Sequence, residues 1–147
     1  MTELKRIDPR GPRFGAAITS VFAIIAFGFS LDTWVYAWLI MWVLFALFAL
    51  SVFGKNITHP YSYLFQKFVR PRLSAPAELE DSRPPHFAQQ VGLSFAVFGV
   101  ISGFFWPLGV TIAAAFIFLA AFLNAFFGLC LGCQMYLGLR RIGLLRQ

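Results

Sequence analysis

The stretch that decides the fold is residues 33–53, TWVYAWLIMWVLFALFALSVF, which contains no charged side chain. At 1.5 Å per residue, a helix of about 20 apolar residues crosses the roughly 30 Å hydrocarbon core of a bilayer. Three further apolar runs are similar, and together the four predicted spans are residues 14–31, 33–53, 87–106 and 108–127. The sequence therefore predicts an all-α membrane protein with four transmembrane helices.

The composition of the whole chain agrees with a membrane environment. Hydrophobic residues make up 59% of the 147 residues and 19 residues are Phe, whereas charged residues make up only 12%. A soluble domain usually carries about 25% charged residues. A chain of this length has too little interior to bury so much apolar surface, so we expect a lipid bilayer to cover it. The first apolar run leads into the second without a small-residue cleavage site, so we expect it to be retained.

The basic residues give the predicted orientation. All twelve Lys and Arg residues lie in the N-terminal segment, in the central loop between residues 55 and 83, or in the tail from Arg140. Lys and Arg collect in cytoplasmic loops, so both termini and the central loop are predicted to be cytoplasmic. The net charge of +6 forms no basic stripe with interleaved aromatic residues, so nucleic acid is not a predicted partner.

The sequence repeats a motif after 73 residues. Asp8-x-Arg10-x-Pro12-x-Phe14 recurs as Asp81-x-Arg83-x-Pro85-x-Phe87. We interpret the chain as a single membrane domain, residues 1–147, built from two tandem helical hairpins. The parallel pseudo-repeats cover about residues 8–73 and 81–146, and an axis along the membrane normal relates them. The shared Asp and Arg residues are predicted to form interfacial ion pairs.

A surface helix is predicted to follow each hairpin. Pro60 can open the first helix and Pro71 can close it. Between them an apolar stripe recurs at helical spacing, and three cations in and just after this segment are available for lipid headgroups, which favours an amphipathic helix on the cytoplasmic membrane surface. The second surface helix is predicted over residues 134–145. The stripe consists of Tyr61, Leu64, Phe65, Phe68 and Val69, and the cations are Lys67, Arg70 and Arg72.

The two cysteines occur in one half only, which makes them better candidates for a specific function than the shared residues. Cys130 and Cys133 follow the fourth span, close to where a new helix begins. A helix N-terminus and nearby cations lower the pKa of a thiol, and thiolate is the form that attacks disulfides or carries sulfane sulfur. A reducing cytoplasm would keep such a pair reduced at rest.

Several roles remain open for this pair. Cys130 and Cys133 are the candidate catalytic thiols of a redox or sulfur-transfer reaction, or residues with a structural role alone. A zinc site is a further alternative, with Cys130, Cys133, His59 and His86 as ligands on one side of the membrane, or with two cysteines from each chain of a dimer. No phosphate-binding Gly loop, Ser-His-Asp set or carboxylate pair is present in the sequence, and no cofactor is predicted.

Three functions are compatible with these features. The leading hypothesis is a membrane-embedded dithiol protein that exchanges electrons or sulfane sulfur with a soluble cytoplasmic partner. The first alternative is a non-catalytic accessory subunit that packs against a larger membrane complex or its own copy. The second alternative is a permease for a small sulfur species, with Asn124 and Ser51 on its path. Ion-coupled transport is disfavoured because the spans carry no charged residue clear of their ends.

Four segments of the chain resemble a bacterial membrane family known as domain of unknown function 4395. They are IDPRGPRF at residues 7–14, VRPRL at 69–73, PAELED at 76–81 and FGLCLGCQMY at 127–136. The resemblance covers nearly the whole chain. It implies a small four-span protein of the bacterial inner membrane, and it implies association of the cysteine pair with thioredoxin-like or rhodanese-like sulfur proteins.

Overall fold

The computed structural model describes residues 6–7, 10–54, 63–72, 80–81 and 83–143. This part of the chain is helical apart from one pair of two-residue strands, which confirms the predicted helical class. The helices are α1 (Arg10–Ser30), α2 (Trp34–Phe53), a π-helical turn (Phe65–Val69) continued by a 3-10 turn (Arg70–Arg72), α3 (Arg83–Ser102), α4 (Pro107–Phe127) and α5 (Leu131–Arg141). The strands β1 (Arg6–Ile7) and β2 (Glu80–Asp81) pair antiparallel.

The four long helices form one bundle. Helix α1 packs against α2 and α4, and α3 packs against the same two helices. Helices α2 and α3 run in opposite directions, because Trp38 lies against Gly103 whereas Phe48 lies against Gly92. We call the end with the links at residues 31–33 and 103–106 the tip. The opposite end, where α1 and α3 begin and α2 and α4 end, is the base.

Small residues line much of the interior of the bundle, together with a few larger side chains such as Met41, Leu44 and Val110, and many of the large apolar side chains point outward. Small side chains let helix backbones approach closely, as they do in membrane bundles, where lipid and not the core solvates the large apolar groups. The fully buried alanines are Ala23, Ala26, Ala37, Ala96, Ala113 and Ala114, and the outward-facing residues include Val21, Ile24, Val35, Leu39, Val43, Ile101, Phe116 and Leu119.

Three of the helices are long and apolar enough to cross a membrane by length and composition, namely α1, α2 and α4. The described residues are thus compatible with a membrane protein whose helices face a lipid bilayer. Helix α3 has 20 residues but does not meet the same criterion, because polar residues occupy its first turns. They are Arg83, His86, Gln89 and Gln90.

The third and fourth predicted spans meet at a different place from the one expected. Helix α3 ends at Ser102, four residues before the predicted limit at Trp106, and residues 103–105 form a turn. Pro107 keeps the two helices separate. It disfavours helical geometry in the residue before it. It also begins α4 at the first helical position, where a missing N–H is tolerated.

The predicted surface helices are also shifted. The first was predicted between Pro60 and Pro71, and its residues 60–62 lie outside the described part of the chain; helical structure is described from residue 63 to Arg72. The second was predicted over residues 134–145 and instead begins at Leu131. The helix begins earlier because Cys130 serves as its N-cap. The side chains of Asp8, Asp81 and Arg83, predicted to form ion pairs, lie outside the described residues.

The contact between α2 and α3 depends on glycine and on one indole. A methyl group added at Gly99 would stand 2.7 Å from Met41 Cγ. The Trp38 ring lies against Gly103, and Trp38 Nε1 donates a hydrogen bond of 2.9 Å to the Val100 carbonyl. Val100 belongs to the last turn of α3, whose carbonyls have no partner within the helix. Trp38 therefore caps α3 from the neighbouring helix.

We expect Trp38→Phe to lower the thermal midpoint of the detergent-solubilised protein by about 2–4 °C, since an interhelical hydrogen bond of this kind contributes on the order of 1 kcal/mol. The readout is the amount of monodisperse protein that survives heating. Trp42→Phe is the matched control, because the Trp42 ring is 40% exposed on the outer face of the same helix. Equal shifts for the two variants would contradict the capping role.

Candidate functional site: the cysteine pair at the base

The cysteine pair lies in the short junction between α4 and α5. Helix α4 ends at Phe127, and Gly128 follows in the left-handed conformation with φ 67°. Because a left-handed residue is strained unless it is glycine, this position needs glycine. The backbone N–H groups of Gly128 and Leu129 both donate to the Leu123 carbonyl. The chain then reverses, and Cys130 precedes the first residue of α5.

Cys130 and Cys133 occupy one side of the first turn of α5. Cys130 is the N-cap residue, and its sulfur accepts a hydrogen bond of 3.1 Å from the Cys133 backbone N–H. The two Cα atoms are 5.1 Å apart and a disulfide joins the sulfur atoms. This Cα separation lies within the ordinary disulfide range of about 4.4–6.8 Å. Both residues are half-buried.

The bonded pair differs from the reduced pair expected from a cytoplasmic location. The reduced state was expected because the cytoplasm is reducing. The bond follows from local geometry, because Cys130 at the N-cap and Cys133 at the third helical position bring their side chains together. The redox state inside a cell stays a prediction. The site accommodates the oxidised form without losing the cap of α5.

Helix α5 is held against the beginning of α3. A methyl group added at Gly132 would stand 2.5 Å from Ala88 Cβ and 2.6 Å from Ala88 Cα, so the two backbones are in close contact. One turn further on, the Tyr136 ring is buried against Phe87, with ring centroids 5.7 Å apart. The cysteine pair is thereby fixed to the bundle through Gly132, which lies between the two cysteines in the sequence.

Arg13 also reaches this junction, although it was not among the site residues predicted from the sequence. Its Nη2 donates a hydrogen bond of 3.3 Å to the Ala125 carbonyl in the last turn of α4. Its guanidinium carbon lies 3.8 Å from the position of a methyl group at Gly128. The sequence holds a signal for Arg13, because the repeat aligns it with His86 and so makes it specific to one half.

The alternative zinc ligands are not brought together in the described part of the chain. His86 is exposed in the first turn of α3, and His59 lies outside the described residues. Among the residues that the structure describes, no group of three or more His, Cys, Asp or Glu side chains could hold a metal ion. Ser51 and Asn124, the residues of the permease alternative, are half-buried in α2 and α4.

Comparison with known proteins gives a family and no function. No curated protein matches the sequence, and no solved structure matches the chain. One family model matches residues 7–141, and its description is Domain of unknown function (DUF4395). The match includes the four long helices and the cysteine junction. The chain therefore belongs to the DUF4395 family, as its sequence motifs predicted.

Proposed function

We propose that this chain crosses the bacterial inner membrane four times, with both termini in the cytoplasm and the base of the bundle at the cytoplasmic face. In addition to α1, α2 and α4, helix α3 is proposed to cross the membrane. It has the length of α2 and packs against α2 and α4. Its polar residues lie near the base, where headgroups and water can reach them. The distribution of Lys and Arg supports the orientation.

The two halves are proposed to be parallel repeats related by a pseudo-twofold axis. Helices α1 and α3 start at Arg10 and Arg83, and α2 and α4 start at Trp34 and Pro107; both offsets are 73 residues. Ile7 pairs with Glu80 across the two strands, and this offset is also 73. A twofold axis requires equivalent positions to face each other in this way.

Each half is proposed to place a short helix on the cytoplasmic membrane surface. Phe65 is buried against Phe14, with ring centroids 5.8 Å apart. In the second half, Phe87 is the equivalent of Phe14 and packs against Tyr136, whose equivalent in the first half is Tyr63. Exposed apolar side chains and cations lie beside both contacts, which suits the boundary between acyl chains and anionic headgroups. They include Tyr63, Lys67, Phe68 and Arg72 in the first half and Met135, Leu137, Arg140 and Arg141 in the second.

We propose that Cys130 and Cys133 form a cytoplasm-facing dithiol that exchanges electrons with a soluble thioredoxin-like protein. The observation that carries this proposal is the position of Cys130, whose sulfur caps the N-terminus of α5 and lies within bonding distance of Cys133. In the reduced form, the same N–H group and the helix dipole favour thiolate at Cys130. Cys130 is therefore the proposed attacking thiol, and Cys133 is the resolving thiol.

The exchange is balanced within the pair and its partner. The Cys130 thiolate attacks one sulfur of a partner disulfide, and the other partner sulfur leaves as a thiolate. Cys133 loses its proton to water and attacks the Cys130 sulfur of the mixed disulfide, which releases the second partner thiolate. The partner has gained two electrons, and the chain is left with its own disulfide. A partner dithiol reverses the same steps.

Transfer of sulfane sulfur from a rhodanese-like protein is the second form of this proposal. The Cys130 thiolate takes the outer sulfur of a partner persulfide, and the partner leaves as a thiolate. Attack by Cys133 on the inner sulfur then releases hydrosulfide and forms the disulfide. A thioredoxin-like dithiol supplies the two electrons that restore the pair. Both forms need a reachable Cys130.

Labelling from each side of the membrane tests this proposal. In reduced inverted vesicles, a membrane-impermeant maleimide should modify Cys130, and in intact spheroplasts it should not. As the opposite control, an Asp32→Cys variant that lacks both native cysteines should react in spheroplasts only. Failure of both native cysteines to react in inverted vesicles would overturn the proposed exchange with a soluble partner. Labelling at position 32 from the cytoplasmic side would overturn the topology.

The accessory-subunit alternative keeps one specific observation in its favour. The disulfide bridges the first turn of α5, and α5 packs on Ala88 and Phe87 of α3. In this alternative the bond has a structural role alone, which is to hold α5 in place. This alternative predicts that a Cys130→Ser, Cys133→Ser double variant retains every association of the chain in mild detergent. It also predicts that no thiol adduct with a soluble protein forms in cells.

A further inference from the structure

We infer that Arg13 is a positioning residue for the thiol pair, which holds the α4–α5 junction and biases Cys130 toward thiolate. The inference rests on the proposed dithiol function and names a residue that acts through Cys130 without being the reacting group. Cys130 lies between the C-terminus of α4 and the N-terminus of α5, and these two helix ends have opposite effects on a negative charge.

The end of α4 disfavours a thiolate. The last four carbonyls of a helix lack intrahelical partners and carry partial negative charge. In α4 the Leu123 carbonyl accepts the N–H groups of Gly128 and Leu129, and the later carbonyls belong to the last turn, next to the junction. Cys130 follows the last residue of α4 by only three positions. Left alone, this end would oppose the favourable effect of the N-terminus of α5.

Arg13 places a full positive charge at that end. Its Nη2 donates to the Ala125 carbonyl, and its guanidinium group lies beside Gly128. A cation at a helix C-terminus offsets the negative end of the dipole. With that end neutralised, the N-terminus of α5 dominates the potential at the Cys130 sulfur, which already accepts a hydrogen bond from the Cys133 N–H.

The junction after α4 differs from the equivalent junction after α2 in the first half. Helix α2 ends at Phe53, and its C-cap residue Gly54 has φ −81°, which is not the left-handed conformation. The positions equivalent to Cys130 and Cys133 in the first half are Ile57 and Pro60. The residue that corresponds to Arg13 in the second half is His86. The arginine and the cysteine pair are therefore features of one helix junction only, whereas the flanking Pro12 and Phe14 recur as Pro85 and Phe87.

The effect of Arg13 on Cys130 must be distinguished from the effects of other charged or titratable groups near the junction. Among the described residues, the charged or titratable side chains on the elements packed around it are Arg10 on α1, His86 on α3, and Tyr136, Arg140 and Arg141 on α5. The α5 arginines lie at its far end, in the last turn. A His86→Gln variant, which removes the imidazole in the first turn of α3, therefore belongs in the experiment as a further control.

The test measures the rate of Cys130 alkylation against pH in the full chain in lipid nanodiscs, in a Cys133→Ser background that prevents the disulfide. We expect Arg13→Gln to slow alkylation about threefold at pH 7 and to move the midpoint of the profile up by about half a pH unit, the effect of one charge at a helix end. Arg13→Lys keeps the charge and should keep the midpoint. Arg141→Gln removes an equal charge at the far end of α5 and should leave the profile unchanged.

The outcomes separate the inference from the proposed function. A Gln variant whose profile coincides with that of Arg141→Gln would overturn the role of Arg13, while an activated Cys130 in the parent would leave the dithiol proposal standing. A Lys variant whose midpoint moves up from that of the parent by about half a pH unit would also overturn it, and this comparison with the parent remains decisive if Arg13→Gln fails to fold. A parent Cys130 that titrates as a free thiol, near pH 8.5, would remove the basis of both.

Discussion

Replacing Cys133 with serine is expected to leave Cys130 trapped in a mixed disulfide, and replacing Cys130 is expected to abolish the adduct. Cys130 attacks first because its sulfur caps the N-terminus of α5, and Cys133 is needed only to release the partner. Cells carrying each variant are quenched with acid and the adducts are resolved on non-reducing gels. The adduct should be abundant with Cys133→Ser and disappear on treatment with a reductant.

The same asymmetry should appear with a small probe. With an aromatic disulfide that releases a coloured thiolate, Cys133→Ser should react at about the parental rate. Cys130→Ser should react about three- to tenfold more slowly at pH 7, because Cys133 lacks the capping position and a smaller fraction of it is thiolate, although each thiolate that forms is somewhat more nucleophilic. Equal trapping by the two single variants would contradict the assigned order of attack. No adduct with either variant would favour the accessory-subunit alternative.

Replacing Gly132 with valine is expected to detach α5 from the bundle. A single methyl group at this position already stands 2.6 Å from the Ala88 backbone, and a backbone atom of a packed helix cannot move aside as a flexible side chain can. Overpacking of this kind costs about 1–3 kcal/mol. Loss of the contact should expose Tyr136 and free the cysteine turn, measured as a lower thermal midpoint and as faster proteolysis after α4.

Gly138 provides a matched control on the same helix. Nothing lies within 4 Å of a methyl group added there, so Gly138→Ala removes glycine without a clash. Because alanine favours a helix over glycine by about 1 kcal/mol, we expect this variant to be slightly more stable than the parent. A Gly132→Val protein as stable as Gly138→Ala, with unchanged cleavage, would show that the close contact with Ala88 does not hold α5.

The positions of the long helices followed from the sequence to different degrees. Residues 33–53 and 108–127 were predicted almost to the residue, since α2 and α4 are Trp34–Phe53 and Pro107–Phe127. Continuous apolar runs bounded by Asp32 and Pro107 leave little choice. Helix α3 was predicted too far toward its C-terminus, because hydrophobicity continues through Phe104, Phe105 and Trp106 although the helix ends at Ser102.

The candidate site was predicted in part. The spacing of Cys130 and Cys133 and the nearby helix start were visible in the sequence, and so was the restriction of the pair to one half. The structure joins the two sulfur atoms, and the reduced state expected in the cytoplasm stays a prediction, because the redox conditions of the compartment and the local geometry are separate constraints. The strand pair of Ile7 and Glu80 was not predicted either, since two residues are too short to give a periodic pattern.

By itself, the sequence determined the helical class, the family and the apolar surface, because these depend on local composition and on spacing along the chain. Only the tertiary structure decided that Arg13 of α1 reaches the last turn of α4 and that Gly132 lies on Ala88. Those contacts join residues more than 40 positions apart, so their spacing carries no signal. They arise because helices with small residues at their contacts pack closely enough for Arg13 to reach the backbone of α4 and for the backbones of α5 and α3 to meet at Gly132 and Ala88.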